Sequence, residues 1–366
     1  MKKTLFTLLT LILLLAVDAV SAERLMTISD LHLTTNSAAF ADVLDAMRSH
    51  AIQADAMLML GDNTNNGRKA EHEAVAAFLS SVTDQGTPVY ILPGNHDFSG
   101  ALTREEWLAI YRSFGYDQAY SVDSASLSYT VRTVGGTVLL MLDLNVYDVH
   151  GVSDTTGGIS KDILSWAEFA LSQTRPNERV IACAHYPLLP EETEAVPGSK
   201  ELLALLDRYQ TRLYLCGHRH VNDTASIPSL RQITVGVPTG YPAWAGMVHS
   251  EPEGFSYQVE PLFLETSERW QALRQSALSL SLAMASGSLQ GTQFEEDQEA
   301  IQWFSDGFMA YTEGRMAAAA SALWERPGKG KWEQATEIRS VTRVWMLSLV
   351  EHPPESVKEL RIPYDN

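Results

Sequence analysis

Positive charge is scarce in this chain. Its 366 residues carry 27 Lys and Arg against 45 Asp and Glu, a formal net charge of −18, and no basic run is longer than a pair. Holding a nucleic acid by its phosphates needs a basic stripe that releases counterions, so polynucleotides are not expected partners. Cysteine is scarcer still, with only Cys183 and Cys216. Each lies two residues before a His cluster in an apolar strand, where buried free thiols and a bridge between neighbouring strands are competing readings. Neither is a candidate metal ligand. Long apolar runs are also missing, apart from the 13 residues Leu5 to Val17. That stretch falls short of the roughly 20 residues that span a bilayer, and Asp18 interrupts it.

Lys2-Lys3 before this stretch and Val20-Ser21-Ala22 after it give the layout of an export signal: a positive start, an apolar core and a small-residue cleavage site. Residues 1–22 are expected to be removed, leaving a periplasmic or extracellular chain that begins at Glu23 and has no transmembrane span. An uncleaved membrane anchor is the alternative.

What the chain has in quantity is apolar sequence, 45% of it, enough for one large domain or two unequal ones. Strands are expected at Arg24–Ile28, Ala56–Leu60, Val89–Leu92, Arg179–Ala182 and Arg212–Leu215, a hairpin at Leu127–Leu142, and further strands at Arg231–Val235 and Phe255–Leu264. Helical periodicity marks Ser37–His50, Glu71–Ser81 and Ile163–Leu171. Asp143–Gly158 reads as a polar loop able to reach over a site rim. From about Thr266 no strand pattern remains, and helices are expected at Ser267–Ala285, Glu295–Leu323 and Trp332–Val350. Gly287–Gly291 and Pro327–Gly330 are the expected breaks. Trp303, Phe304, Phe308 and Tyr311 recur at helical spacing, as a core stripe does. The extension could otherwise serve as a lid or as the interface of a homo-oligomer.

Five clusters of metal-binding residue types follow the strands in order: Asp30-Leu31-His32, Gly61-Asp62-Asn63, Gly94-Asn95-His96-Asp97, Ala184-His185-Tyr186-Pro187 and Gly217-His218-Arg219-His220. Strands alternating with helices build a sheet with parallel strands, whose ligand sites lie beyond the strands' carboxyl ends. Carboxylates, imidazoles and an amide therefore gather at one sheet edge, where a pair of metal ions fits. Asp30 and His32, two positions apart, can chelate one ion. Asp62 is the expected bridge, since two dications about 3.5 Å apart repel by roughly 19 kcal/mol at an effective dielectric of 20 and need an anion between them. Asn95 offers a neutral oxygen that suits a hard cation. His50, His72, His150 and His249 stand outside the clusters and read as surface or loop histidines. Asn63 and Asn145 read as turn residues.

This ordered set resembles the calcineurin-like metallophosphoesterase superfamily, whose pattern runs D-x-H, G-D, G-N-H-[DE], H, G-H-x-H. The resemblance covers roughly Leu25 to Leu264. It implies a four-layered α/β/β/α sandwich over residues 23–265, with residues 266–366 as a helical addition, a two-metal centre and hydrolysis of a phosphate ester. By the same resemblance Asp30, His32, Asp62 and His220 would hold one ion, and Asn95, His185 and His218, with the shared Asp62, the other. His96 would act as the general acid, with Asp97 hydrogen-bonded to it to fix its tautomer. Attack in line by a hydroxide bridging the metals follows. Purple acid phosphatases of the superfamily have Tyr where this chain has Asn65, so a ferric-tyrosinate site is not expected. Two divalent ions, Mn, Fe or Zn, are. The expected substrate is a small-molecule or headgroup phosphate ester, monoester or diester. A metal-containing but catalytically silent scaffold that recruits a partner through the helical tail is the competing reading. Because the imidazole ligands must be unprotonated, metal affinity is expected to fall below about pH 6.5.

Overall fold

Parallel strands covered on both faces have no wet side to alternate toward, and they read as continuous apolar runs. Ala56–Leu60, Val89–Leu92, Val138–Leu142, Val180–Ala184 and Leu213–Cys216 are such runs, each buried at every position. The computed structural model describes residues 22–100, 102–175, 178–189, 196–335, 341–354 and 358–363. The expected export segment lies outside them, except for Ala22.

Two mixed sheets form the centre. The first has β1 (Glu23–Ile28) in its middle, with β2 (Ala56–Leu60) and β3 (Val89–Leu92) parallel to it on one side. On the other side β13 (Trp244–Glu251), β14 (Gly254–Pro261) and β15 (Glu359–Pro363) run antiparallel in turn. The second sheet has the order β11 (Asp223–Ile227), β12 (Leu230–Thr234), β10 (Leu213–Cys216), β9 (Val180–Ala184), β6 (Val138–Leu142), β5 (Tyr129–Arg132) and β4 (Ser121–Val122). Strands β6, β9, β10 and β12 are mutually parallel.

Alternation along the second sheet sorts its side chains into two cores. Leu139, Met141, Ile181, Cys183, Leu213 and Leu215 pack with the first sheet and with helices α1 (Ala41–Ala51), α2 (Lys69–Thr83) and α3 (Arg104–Tyr111). Leu140, Leu142, Ala182, Ala184, Tyr214 and Cys216 pack with α4 (Lys161–Ser172) and α5 (Ser199–Arg208) on the far side. The result is the expected α/β/β/α layering. It also separates the two cysteines: Leu215 pairs with Cys183, so Cys216 is one residue out of register and points to the opposite face. Both are free thiols.

Several elements depart from expectation. Asp143–Gly158 is not a plain loop, because β7 (Asn145–Tyr147) pairs with β8 (Ser153–Gly157) as a hairpin. Its anchor is the buried Asp143, whose carboxylate accepts from the N–H groups of Leu127 and Asn145 and from the Tyr147 hydroxyl. β15 supplies a strand from the tail, where its polar residues at a sheet edge masked the pattern. The tail otherwise folds as α6 (Glu268–Leu289), α7 (Gln298–Thr312), α8 (Met316–Trp324), α9 (Pro327–Gln334) and α10 (Val341–Glu351). The single helix expected over Glu295–Leu323 is split at Gly314, whose φ of 61° ends α7. Pro327 opens a helix rather than breaking one, since the first helical position needs no N–H.

These helices have their own core, in which Phe304 stacks on Trp332 at 5.1 Å beside Trp303. Trp303, Phe304 and Tyr311 are buried as the stripe predicts, but Phe308 is only half-buried. The Tyr311 hydroxyl donates to Asp223 Oδ2 at 3.3 Å and the Tyr241 hydroxyl to Glu313 Oε1 at 2.7 Å, tying the helices to the sheets. Among the described residues no helix is long and apolar enough to cross a membrane.

Candidate metal centre

β1, β2, β3, β9 and β10 end on the same side, and the residue clusters sit just past those ends. Backbone bonds lace the ends together: Asp30 N–H to the Gly61 carbonyl, His32 N–H to that of Asp62, and Gly217 N–H to that of His185. Gly61 has φ 92°, and a Cβ there would come within 2.7 Å of His185 Nδ1, so only glycine lets the strand turn this tightly against the imidazole. Asp30, His32, Asp62, His218 and His220 also have left-handed backbones, with φ between 48° and 71°. Each such residue costs on the order of 1 kcal/mol or more, strain of a kind that clusters at functional sites. Asp30 and His32 therefore reach one point by paired left-handed turns.

Two groups of donor atoms converge there. Asp30, His32, Asp62 and His220 form one, and Asp62, His185 and His218 the other. In the first, His32 Nε2 lies 3.0 Å from His220 Nε2 and 3.8 Å from Asp62 Oδ2, while His220 Nε2 is 3.4 Å from Asp30 Oδ1. In the second, His185 Nε2 lies 3.3 Å from Asp62 Oδ2 and 3.2 Å from Asn95 Oδ1, and His218 Nδ1 is 3.1 Å from Asn95 Oδ1. Ligands about 2.1 Å from a shared ion at 90° to 110° stand about 3.0–3.4 Å apart, and all of these separations but the 3.8 Å one fall in that range. The His185 Nδ1–H donates to the Leu60 carbonyl at 3.0 Å, which turns the Nε2 lone pair toward oxygens that can only accept. Either a proton on Nε2 or a bound cation must therefore stand between this nitrogen and those oxygens.

Protonation follows from the same crowding. Burial pushes the Asp62 carboxyl up, but His185, His32 and the His96 N–H outweigh it and hold the pKa well below the usual range. Burial pushes the His185 imidazole down, but Asp62, Asp30 and the Leu60 carbonyl raise it to about 9. His218 is lowered to about 4 by burial and by His185. His32 is lowered by burial against the pull of Asp62 and Asp30. His220 is raised by its hydrogen bond to Asp30.

His96 lies beside both groups, its ring edge-on to His32 at 4.7 Å and its N–H donating to Asp62 Oδ1 at 2.7 Å. Its expected partner is wrong. The His96 Nδ1–H donates to the Asn65 carbonyl at 2.8 Å, whereas Asp97 accepts from the N–H groups of Asn63, Thr64 and Gly94, the Asn63 amide and the Thr64 hydroxyl. Both residues sit in a 3₁₀ turn, His96–Phe98, where successive side chains diverge by about 120°. Asp97 braces the loops that carry Asp62 and Asn95 and does not touch the imidazole.

Two residues of that support escaped the sequence. His72, expected at the surface, is buried on α2, with Nε2 donating to the Asp97 carbonyl at 2.9 Å and Nδ1 bonded to the Tyr111 hydroxyl. Glu71 is buried beside it and accepts from the N–H and amide of Asn66. Adjacent polar residues on a helix gave no local sign of either. Tyr186 leans on the His218 ring at 5.0 Å and donates to Asn145, while Arg219 pairs with Asp223 at 2.9 Å.

Residues 23–222, more than half of the chain, match the family model of the calcineurin-like phosphoesterases. The chain belongs to that family. Among curated relatives of this calcineurin-like phosphoesterase is a probable glycerophosphodiester phosphodiesterase of Arcobacter nitrofigilis, 26% identical over 50% of this chain and 63% of its own length. Another is a 3',5'-cyclic-nucleotide phosphodiesterase of Nostoc sp., 28% identical over 55% of this chain and 67% of that one. The chain thus spans about two thirds of the length of these relatives. In fold it is similar to a dimetal phosphatase of Danio rerio, with a TM-score of 0.51 at 14% identity over 66% of this chain and 96% of that one.

Proposed function

We propose that the chain is an exported, metal-dependent phosphoric ester hydrolase. The observation that carries this is the sharing of Asp62 between two donor groups whose spacings suit a metal shell. Asp30, His32, Asp62 and His220 would hold one divalent ion, and Asp62, Asn95, His185 and His218 a second, Mn, Fe or Zn being suited to this mixture of oxygen and nitrogen donors. Bound there, such ions neutralise phosphate charge and make water a stronger nucleophile near neutral pH.

The protein's own groups supply the rest. Asp62 stays anionic and gives the bridge its charge, and neutral Asn95 adds an oxygen without adding repulsion. With Nδ1 tied to Asn65, His96 has Nε2 as the nitrogen that can exchange a proton with substrate. In its protonated form it gives that proton to the leaving oxygen as water, losing a proton to solvent, attacks phosphorus in line, with no covalent enzyme intermediate. Both relatives named above are phosphodiesterases, which favours a diester as the physiological substrate. Export is supported by the Lys2-Lys3, apolar and Val20-Ser21-Ala22 arrangement.

The test is chelation followed by re-addition of Mn, with release of p-nitrophenolate from bis-p-nitrophenyl phosphate and from the monoester as the readout. Loss and recovery on at least one ester is expected. A metal-loaded protein inert toward both overturns the proposal, and amino-terminal sequencing of exported protein that fails to begin at Glu23 overturns the cleavage.

A further inference from the structure

A cavity of about 800 Å³ opens directly beside the metal centre, and half of its lining residues belong to the helical tail. One end is formed by His218, Arg219 and His220, and the opposite side by α6, α7 and α10 through residues such as Leu273, Leu280, Phe308 and Trp345. Leu280 is 55% exposed, an uncovered leucine among half-buried aromatics. Trp345 stands edge-on to Tyr311 at 5.3 Å and to Phe308 at 6.4 Å, so the wall is a braced aromatic surface.

The tyrosine hydroxyls and the guanidinium of this wall are already engaged within the protein. The Tyr311 hydroxyl donates to Asp223, the Tyr241 hydroxyl to Glu313, and the Arg219 guanidinium pairs with Asp223. A glycerol, sugar or base would find few partners among them, and burying its hydroxyls unpaired is costly. A hydrocarbon group loses nothing there and is favoured by the area it removes from water. The cavity lies within the size range of pockets that enclose a small organic ligand.

We infer that the helical tail is a specificity element: the cavity takes the apolar organic group of a phosphate ester whose phosphate lies at His218 and His220. The substrate class is then an ester carrying an alkyl, acyl or prenyl chain, rather than a wholly polar one. This rests on the hydrolase reading for where the phosphate sits. The walls α6, α7 and α10 lie outside residues 23–222, the part matched by the family.

The experiment uses binding, so that it does not depend on turnover. The metal-loaded full chain is titrated calorimetrically with methyl-, butyl- and octylphosphonate, which cannot be hydrolysed at an ester bond. Kd is expected to tighten by about fourfold for each methylene that enters the cavity, the fold-change of about 0.8 kcal/mol per buried CH₂. Leu280→Asp, at an exposed position, and Ser276→Trp, which narrows the cavity, should each cut the methyl-to-octyl affinity ratio at least tenfold. Val134→Asp, on the remote and exposed β5–β6 turn, should leave that ratio as it is. Equal affinities across the series, or a ratio untouched by both cavity variants, overturn the inference. Hydrolysis of methyl p-nitrophenyl phosphate, measured alongside, reports on the hydrolase reading separately: a chain-length effect on binding without turnover sinks that reading and leaves the cavity's role standing. A straight-chain and a prenyl phosphonate of equal carbon number, compared in the same titration, distinguish a linear from a branched chain.

Discussion

The backbone N–H of His96 donates to Oδ1 of Asp62 at 2.7 Å, while the other carboxylate oxygen, Oδ2, faces His32 and His185 at 3.8 and 3.3 Å. One residue thus holds the shared carboxylate by its backbone and, in the proposed mechanism, offers its imidazole to the substrate. The imidazole of His96 and the carboxylate shared by the donor groups cannot move independently. The turn His96–Phe98 that sets both is itself fixed by Asp97 and His72.

His96→Ala and Asp97→Asn should therefore fail differently. Removing the imidazole should lower kcat for an ester with a poor leaving group by roughly 10²- to 10⁴-fold, and by much less for p-nitrophenyl esters, whose leaving group needs no proton. Asp97→Asn keeps the shape but loses charge-assisted bonds to the Asn63, Thr64 and Gly94 N–H groups. Its expected effect is a roughly 10- to 100-fold weaker metal affinity, with the leaving-group dependence unchanged. Steady-state kinetics over a leaving-group series, together with metal titration, separates the two. If Asp97→Asn reproduced the leaving-group effect of His96→Ala, Asp97 would act on the imidazole after all.

Much of this centre was legible because each donor follows a buried strand, and parallel strands end on one side. Asp30, Asp62, Asn95, His185 and His218 are placed by that rule alone. The partner of His96 was misread because neighbours in sequence diverge in a 3₁₀ turn, and His72 because burial of one helix position depends on what packs over it. The tail was half legible. Its helical periodicity shows locally, but the cavity it closes against His218 and His220 depends on how α6, α7 and α10 dock, which no local pattern encodes.

Metal uptake should be steeply pH-dependent, over a higher range than unperturbed imidazoles would give. Metal binds the neutral ring, yet the pKa of His185 is raised to about 9, and that of His220 is raised as well. At pH 7 the His185 ring therefore carries a proton that an incoming ion must displace, and His220 holds its proton more tightly than a free imidazole does, so affinity rises with pH and is lost as pH falls from about 9. The loss approaches tenfold per pH unit for each proton released. His218, lowered to about 4, adds nothing in this range. Chelator competition at pH 6, 7 and 8, with calorimetry in buffers of differing ionisation enthalpy, measures the slope and the proton count. Constant affinity between pH 6 and 8 would contradict the protonation of His185.

The two cysteines should behave as inert buried thiols. Cys183 and Cys216 are fully buried on opposite faces of adjacent strands, and burial raises both thiols, that of Cys216 to about 12. Neither should react with a thiol reagent at pH 8 in the folded protein, and both should react after unfolding in urea without reductant. A single reactive thiol, or none, in unfolded unreduced protein would mean that oxidation has occurred despite the register.

The left-handed backbone at His220 gives the centre a stability signature that can be read without metal. Its φ is 60° and its side chain is half-exposed, so truncation leaves little cavity, and the effect is mainly one of backbone. Alanine there retains the Cβ clash with the carbonyl that follows, whereas glycine is relieved of it, at the expense of a more flexible unfolded chain. The strain term is the larger of the two, so apo His220→Gly should be more stable than apo His220→Ala by about 1 kcal/mol in urea unfolding, although both lose a donor from the first group. At a helical or extended position the order would reverse. An alanine variant equal to or more stable than the glycine one would therefore mean that the turn carrying His220 relaxes in the metal-free protein, and that the donor geometry is drawn together by the ion rather than preset by the chain.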